Sequence, residues 1–315
     1  MVETRPYDFM VKLTPQKDWI AGHGLLIALA FFLGGLSGGV YLAALYFDNL
    51  LGMFVGWCLA LLMGVIDMVH LSQPKKFWRM LLRPNTSWIS RGFIIITLFI
   101  GAAAIQLAIS VWLPGAAAEM AFKALAGILA FAVAIYSGFV VGSIGAIRLW
   151  NSAIIPVLFI ATGLVGGLAL ILAITAGSSQ PEMIVSAASG GGVPYAWAVG
   201  SSQSSILIFA MRAILVIYAI FVVVYLWISA SGGPGARDSA LMMVRGSLAP
   251  VFWLGVILAG IVVPMVLLFA VNPADGAPVA LLVATAVCVI VGTGALRYSI
   301  LKAGMYTPLI PANKP

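Results

Sequence analysis

The chain has 315 residues, 63% of them hydrophobic and only 8% charged, with a mean hydropathy of +1.14. Soluble domains carry about 25% charged residues, so no globular packing could hide this much apolar surface, and the composition reads as a polytopic membrane protein. The net charge of +7 comes from 16 Lys+Arg against 9 Asp+Glu. It sits in loops and at helix ends, which points to topology and membrane lipid headgroups and to no nucleic acid.

A spanning helix needs roughly 20 apolar residues. Residues 1–19 mix Glu3, Arg5, Asp8, Lys12, Lys17 and Asp18 and read as an N-terminal interfacial segment with no cleavable signal pattern. Eight apolar runs follow, at residues 20–47, 50–71, 92–113, 123–148, 153–176, 204–228, 247–271 and 279–301. Barrel strands alternate polar and apolar residues, whereas these runs are continuously apolar, so the predicted class is all-α. Turn residues separate the runs: Pro74 and Pro84, Pro114-Gly115, Pro181, Gly190 to Gly192, Gly232-Gly233-Pro234 and Asn272-Pro273. Cys58 and Cys288 lie inside apolar runs. Two cysteines are too few for the four ligands of an iron–sulfur cluster, and they form no disulfide framework.

Eight helices put both ends of the chain on one face, here face X. Fourteen of the 16 basic residues fall on X: Arg5, Lys12, Lys17, Lys75, Lys76, Arg79, Arg83, Arg91, Arg148, Arg237, Arg245, Arg297, Lys302 and Lys314. Lys123 lies opposite, and Arg212 lies inside the sixth run. By the positive-inside rule X is cytoplasmic. Small residues cluster within the runs: Gly34, Gly35, Ser37, Gly38 and Gly39 in the first, with Gly138/Gly142 and Gly163/Gly167 at the same four-residue spacing. That spacing lets helix backbones approach closely in lipid. A faint parallel repeat of four plus four helices relates 83–88 to 246–253.

Polar groups in hydrocarbon are costly and ask for a reason. Six stand out: His23, Asp67, His70, Gln106, Tyr136 and Arg212. Asp67 and His70 are three apart and share a helix face. At 1.5 Å per residue, His23, Asp67 and His70 lie roughly 7–12 Å below face X, with Tyr136 about 18 Å below it. Such a layer suits a quinone, whose two-electron chemistry also moves two protons: His and Tyr can bond the ring oxygens, an acid beside a histidine can carry protons, and the tail needs only an apolar cleft. Plainer roles exist for each residue. His23 could face headgroups at a helix end, and His70 sits beside a turn. Asp67 could be paired, Tyr136 could simply pack, Gln106 reads as an interhelical bridge, and Arg212 could snorkel.

Residues 73–91 carry five basic residues and no acid, with Phe77, Met80 and Leu81 at helical spacing and Trp78 and Trp88 as interfacial aromatics. They read either as an amphipathic segment on anionic lipid or as a platform for an acidic partner, presented by Lys75, Lys76, Arg79, Arg83, Trp88 and Arg91.

His70-Leu-Ser-Gln-Pro-Lys-Lys-Phe-Trp-Arg-Met-Leu, followed by Arg83-Pro-Asn-Thr-Ser-Trp-Ile-Ser-Arg-Gly92, resembles the signature of the NrfD-like polysulfide reductase membrane subunits. Phe32 to Gly39, Tyr136 to Gly142 with Leu149-Trp-Asn-Ser152, and Leu296-Arg-Tyr298 with Ala303-Gly304 resemble further segments of that family, so the likeness runs almost end to end. The resemblance implies eight helices in two four-helix bundles, divided here as 20–150 and 151–315. It implies a quinone-reactive subunit of a respiratory oxidoreductase in the cytoplasmic (inner) membrane of a prokaryote. Such a subunit uses menaquinone or ubiquinone and binds no haem or iron–sulfur cluster itself. Its partners would be a four-cluster ferredoxin-like iron–sulfur subunit and, beyond it, a molybdopterin or multihaem catalytic subunit. His23 and Tyr136 match the family's quinone-binding positions. Trp19 occupies the place where some members have an asparagine. Asp67, with His70 beside it, matches an acid associated with proton handling. In many members the docking face lies outside the cytoplasm, opposite to the charge count, which leaves the side of face X open.

Three other readings compete, the plainest a purely structural anchor that binds no quinone. His23 and His70, at similar depth on different helices, could ligate one b-type haem. Alternatively Asp67 and Arg212 could couple protons in a secondary transporter, although the runs lack the paired midplane interruptions expected of such carriers.

Overall fold

The computed structural model describes residues 12–22, 24–71, 73–177, 201–272 and 277–308. Among these, eight helices are long and apolar enough to cross a membrane. They are α1 (Gly24–Tyr46), α2 (Leu50–His70), α3 (Trp88–Trp112), α4 (Ala117–Gly142), α5 (Ile154–Gly177), α6 (Ser201–Ser231), α8 and α9 (Val279–Lys302). The span α8 winds as a π-helix over Val251–Val262 and as an α-helix over Val263–Phe269. A shorter helix, α7 (Pro234–Val244), and a 3-10 helix, Pro74–Leu82, lie between spans. The all-α, eight-span expectation therefore holds. The predicted turns at Pro181, Gly190 to Gly192 and Pro273 fall outside the described residues, as do Arg5 and Lys314.

Several boundaries differ from the apolar runs, each for a local reason. Helix α3 starts at Trp88 because the Ser87 hydroxyl accepts the Ser90 N–H at 3.3 Å, a side-chain N-cap. Helix α4 starts at Ala117, after a turn at Gly115 with φ +79°. It ends at Gly142 and not at residue 148. There the Ser143 hydroxyl donates to the Val140 carbonyl (2.7 Å) and the Asn151 amide to the Gly142 carbonyl (2.9 Å). Gly233, at φ +92°, closes α6, and Pro234 opens α7. Proline is well suited to the first turn of a helix, where its missing N–H costs nothing.

Helix α1 packs against α2, α4 and α5, and its glycines divide the work. A Cβ on Gly34 would stand 2.6 Å from Met63 Sδ of α2. One on Gly38 would overlap the Ala130 carbonyl of α4, and one on Gly39 the Gly163 carbonyl of α5. Gly163 and Gly167 meet Gly35 and Gly39 in return, so α1 and α5 touch backbone to backbone. The glycine spacing seen in the sequence thus marks real crossings. Gly138 likewise admits Pro156, where a Cβ would lie 2.5 Å from the proline Cα.

A small plate of loops and terminal segments closes face X. Strands β1 (Thr14–Pro15) and β2 (Met305–Tyr306) pair antiparallel. The buried Gln16 bonds the carbonyls of Gly304 (2.9 Å, from its backbone N–H) and Leu301 (from its side-chain amide). Trp150, fully buried, donates its indole N–H to the Ile300 carbonyl at 2.8 Å. The segments Leu149 to Ser152 and Ala303-Gly304 are therefore in contact, and a Cβ on Gly304 would lie 2.7 Å from the Trp150 ring. On the opposite side, Tyr41 donates to Gln106 (2.6 Å), Gln106 to Ser110 (2.9 Å) and Ser110 to Glu119 (2.8 Å), so Gln106 does bridge α1 and α3, and Ser110 carries the series on to α4.

Because the α1–α5 crossing has no side group that could yield, Gly39→Val should cost about 3 kcal/mol, the upper end for overpacking. Thermal unfolding of the detergent-solubilised protein would show it as a clear drop in midpoint, whereas Gly101→Ala, in open space, should leave the midpoint unchanged.

Candidate functional site

One cavity brings together three of the residues singled out from sequence, Trp19, Asp67 and Tyr136. It occupies about 360 Å³ among α1, α2, α3, α4 and the 3-10 helix, and its walls include Trp19, Phe31, Asp67, Met80, Phe93 and Tyr136. That volume lies within the range of about 300–1,000 Å³ usual for small-molecule sites. The lining is apolar apart from a few polar groups, the pattern expected where a ring must be oriented and a tail merely accommodated.

Tyr136 is the best-held member. It is 5% exposed, with its ring edge-on to Phe31 at 6.0 Å. Its seat exists because residue 92 is glycine: a Cβ there would stand 2.6 Å from Tyr136 Cδ2. Since α4 ends at Gly142, Tyr136 lies six residues from the helix end, about 9 Å deep, and not the 18 Å inferred from a helix reaching Arg148. The phenol therefore lies nearer face X and shares the cavity wall with Asp67. Asp67 is half-buried in the cavity wall. Neither its carboxylate nor the Tyr136 hydroxyl has a hydrogen-bond or ion-pair partner among the described residues, although the two lie within electrostatic reach of each other. Unpartnered polar groups facing an apolar cavity are unusual and ask for an occupant.

Trp19 lines the same cavity. Its backbone N–H donates to the Gln16 side chain at 3.1 Å and its ring meets Trp150 edge-on at 5.6 Å. The plate on face X thus positions one cavity wall. His70 is the last residue of α2, one turn beyond Asp67. His23 lies outside the described residues.

The basic segment flanks the cavity. In the 3-10 helix Met80 points into it, while Lys75, Lys76, Trp78, Arg79 and Arg83 are exposed. Two docking candidates are engaged elsewhere. The Trp88 ring stacks on Phe139 at 4.7 Å, with the Arg91 guanidinium 4.5 Å above it. Arg91 also donates to the carbonyls of Pro84 (2.7 Å) and Asn85 (2.8 Å), which staples the loop that leads into α3.

Arg297 was missed as a site residue because it was counted as a face X charge. It is 2% exposed. Its Nε donates to Thr162 Oγ1 (2.9 Å), one terminal nitrogen to the Phe159 carbonyl (2.6 Å) and the other to the Phe31 carbonyl. Placing an arginine at depth costs about 2.5–3.5 kcal/mol on insertion scales. Three charge-assisted bonds at about 1.5–3 kcal/mol each offset that cost. The depth arithmetic applied to Asp67 puts Arg297, five residues from the end of α9, about 7 Å inside, so a signal was present. Among the described basic residues expected on face X, Arg297 is the buried one. Arg212 does not snorkel freely: it donates to the carbonyls of Leu268 (2.7 Å) and Val271 (2.6 Å), capping the end of α8.

The fold and cavity define a class: an eight-span membrane protein with a mostly apolar, partly polar pocket near one face, and a basic helix beside it. The pattern of the family described as polysulphide reductase, NrfD, matches residues 16–187 and 192–309, and the chain belongs to that family. Protein NrfD of Escherichia coli (strain K12) is 26% identical over 79% of this chain and 80% of its own length. The C subunit of polysulfide reductase from Wolinella succinogenes is 29% identical over 56% of this chain and 51% of its own length. A protein NrfD homolog of Haemophilus influenzae is 23% identical over 93% of this chain and 96% of its own length.

Proposed function

We propose that the protein is the quinone-reactive membrane subunit of a respiratory oxidoreductase, passing electrons between membrane menaquinone or ubiquinone and an iron–sulfur partner subunit. The observation that carries this reading is the cavity on whose apolar walls Asp67 and Tyr136 stand without a partner among the described residues. Family membership, and the presence of a polysulfide reductase subunit among its relatives, support it.

In this reading the quinone ring enters between α2 and α3. Tyr136 offers a hydroxyl to one ring oxygen, and His23 bonds the other. Phe31 and Trp19 flank the ring, and the tail lies along the apolar wall. Asp67, with His70 one turn towards the surface, exchanges the protons that accompany the two electrons. The partner sits on face X over Lys75, Lys76, Arg79 and Arg83, where a ferredoxin-like surface rich in acids would meet a basic one. Trp88 and Arg91 hold the loop in place beneath it. A molybdopterin or multihaem subunit lies beyond. We place the division between the two helix bundles at residues 150 and 151.

A fluorescent quinol analogue titrated into the purified protein tests the site. Saturable binding is expected, weakened about tenfold by His23→Ala, the loss of one hydrogen bond. Tyr136→Phe should lower quinone turnover about tenfold. Asp67→Asn should reduce kcat about a hundredfold with little change in affinity, as loss of a proton-transfer group does. Normal turnover in all three variants would sink the assignment.

Gly92→Ala tests the seat of the phenol without altering any polar group. Quinone KM should rise about tenfold while the fold, checked by gel filtration, is kept. An unchanged KM would mean that Tyr136 is not a ring contact.

Arg79→Glu with Arg83→Glu should release the iron–sulfur partner on purification of the complex in moderate salt. Co-elution at wild-type stoichiometry would place the docking surface elsewhere.

A further inference from the structure

We infer that Arg297 is a positioning residue that supplies a fixed positive charge to the cavity and stabilises the anionic, one-electron-reduced form of the ring held there. The inference rests on the quinone reading and assigns a role to a residue outside the cavity lining.

Its charge is both buried and uncompensated. The guanidinium is 2% exposed, and among the described residues no carboxylate pairs with it. Its acceptors are two backbone carbonyls and the Thr162 hydroxyl, all neutral, and the Phe159 ring lies 4.7 Å away. Any neutral donor could brace three neutral acceptors. The three bonds offset the cost of burial, yet they leave the charge itself unneutralised by any carboxylate among the described residues.

The charge also lies next to a residue of the cavity wall. Phe31 offers its carbonyl to Arg297 and its ring to the cavity wall, edge-on to Tyr136. One residue therefore separates the guanidinium from the bound ring, and that residue is apolar. Little water intervenes to screen the field. Tyr136 lies within electrostatic reach of both Arg297 and Asp67. Gly35 keeps the cation in place, since any Cβ there would overlap the guanidinium.

The chemistry balances without Arg297 changing its own state. One electron from the iron–sulfur donor converts quinone to the semiquinone anion, whose charge Arg297 opposes. A second electron and two protons, delivered by way of Asp67, complete the quinol. Arg297 neither gives nor takes a proton. It lets the first electron arrive before the first proton.

The test is a redox titration of a short-chain ubiquinone and, separately, a short-chain menaquinone bound to the full-length protein in lipid nanodiscs. Mediators set the potential and paramagnetic resonance reads the semiquinone. Arg297→Gln removes the charge. Thr162→Asp keeps the arginine and both carbonyl bonds but places a carboxylate against Nε, neutralising the charge where it stands, and so serves where the glutamine variant does not fold. Each should shift the bound couple to more negative potential and reduce the semiquinone signal at least tenfold, with affinity for oxidised quinone within threefold of wild type. Arg297→Lys should retain most of the signal. An unmoved potential in either folded neutralised variant overturns the inference and leaves the quinone site standing. Absence of quinone binding in the wild-type protein overturns the function proposed above and this role with it.

Discussion

The backbone contact between α1 and α5 is the constraint on which the rest of the structure depends. Lipid tails are as apolar as leucine, so helices in a membrane gain little by hiding apolar side chains from their surroundings and rely on close packing instead. The Gly35 and Gly39 surface of α1 meets Gly163 and Gly167 with no side chain between them. That approach brings the Phe31 and Phe159 carbonyls close enough for one guanidinium from α9 to bond both. It also fixes Phe31, whose ring forms one wall of the cavity and supports Tyr136. A bulkier α1 would separate the helices, lose the arginine clamp and open the cavity together.

Much of this architecture was legible because a bilayer imposes a length. Each span must be a long apolar run, and the eight runs stand out with their order and sense. The glycine spacings were legible for the related reason that close crossings tolerate only small residues. Asp67 and Tyr136, which line the cavity, were legible as residues that stand out because polar groups in hydrocarbon are rare enough to count individually.

What stayed hidden was set by tertiary contacts. Residues 143–148 are apolar enough to continue a helix, and α4 ends before them only because Ser143 and Asn151 bond its last carbonyls. That local event decides the depth of Tyr136 and hence whether it shares a cavity with Asp67. Arg297 was assigned to the surface by its nearness to a helix end, although its acceptors are supplied by α1 and α5, far off in sequence. The Gly232-Gly233-Pro234 break reads as a simple turn, yet its proline also begins α7. Arg91 looks like its basic neighbours in sequence. Only the fold shows that the Pro84 and Asn85 carbonyls occupy it.

The protein contains two buried polar systems, and the difference between them bears on which one is the site. On the side away from face X, Tyr41, Gln106, Ser110 and Glu119 bond in series, every donor pointing towards the carboxylate, which also accepts the Gly115 N–H at 2.7 Å. Nothing there asks for a ligand, and an amide in the middle of the series relays protons poorly. A satisfied network of this kind braces helices. The face X system has the opposite character. Its acid and its phenol have no hydrogen-bond partner among the described residues and line a cavity that could hold a ring. Groups left unsatisfied at such cost are better explained by an intermittent occupant than by stability. The same 3-10 helix that gives Met80 to the cavity presents Lys75, Lys76 and Arg79 at the surface, so one short element faces both the cavity and the exterior.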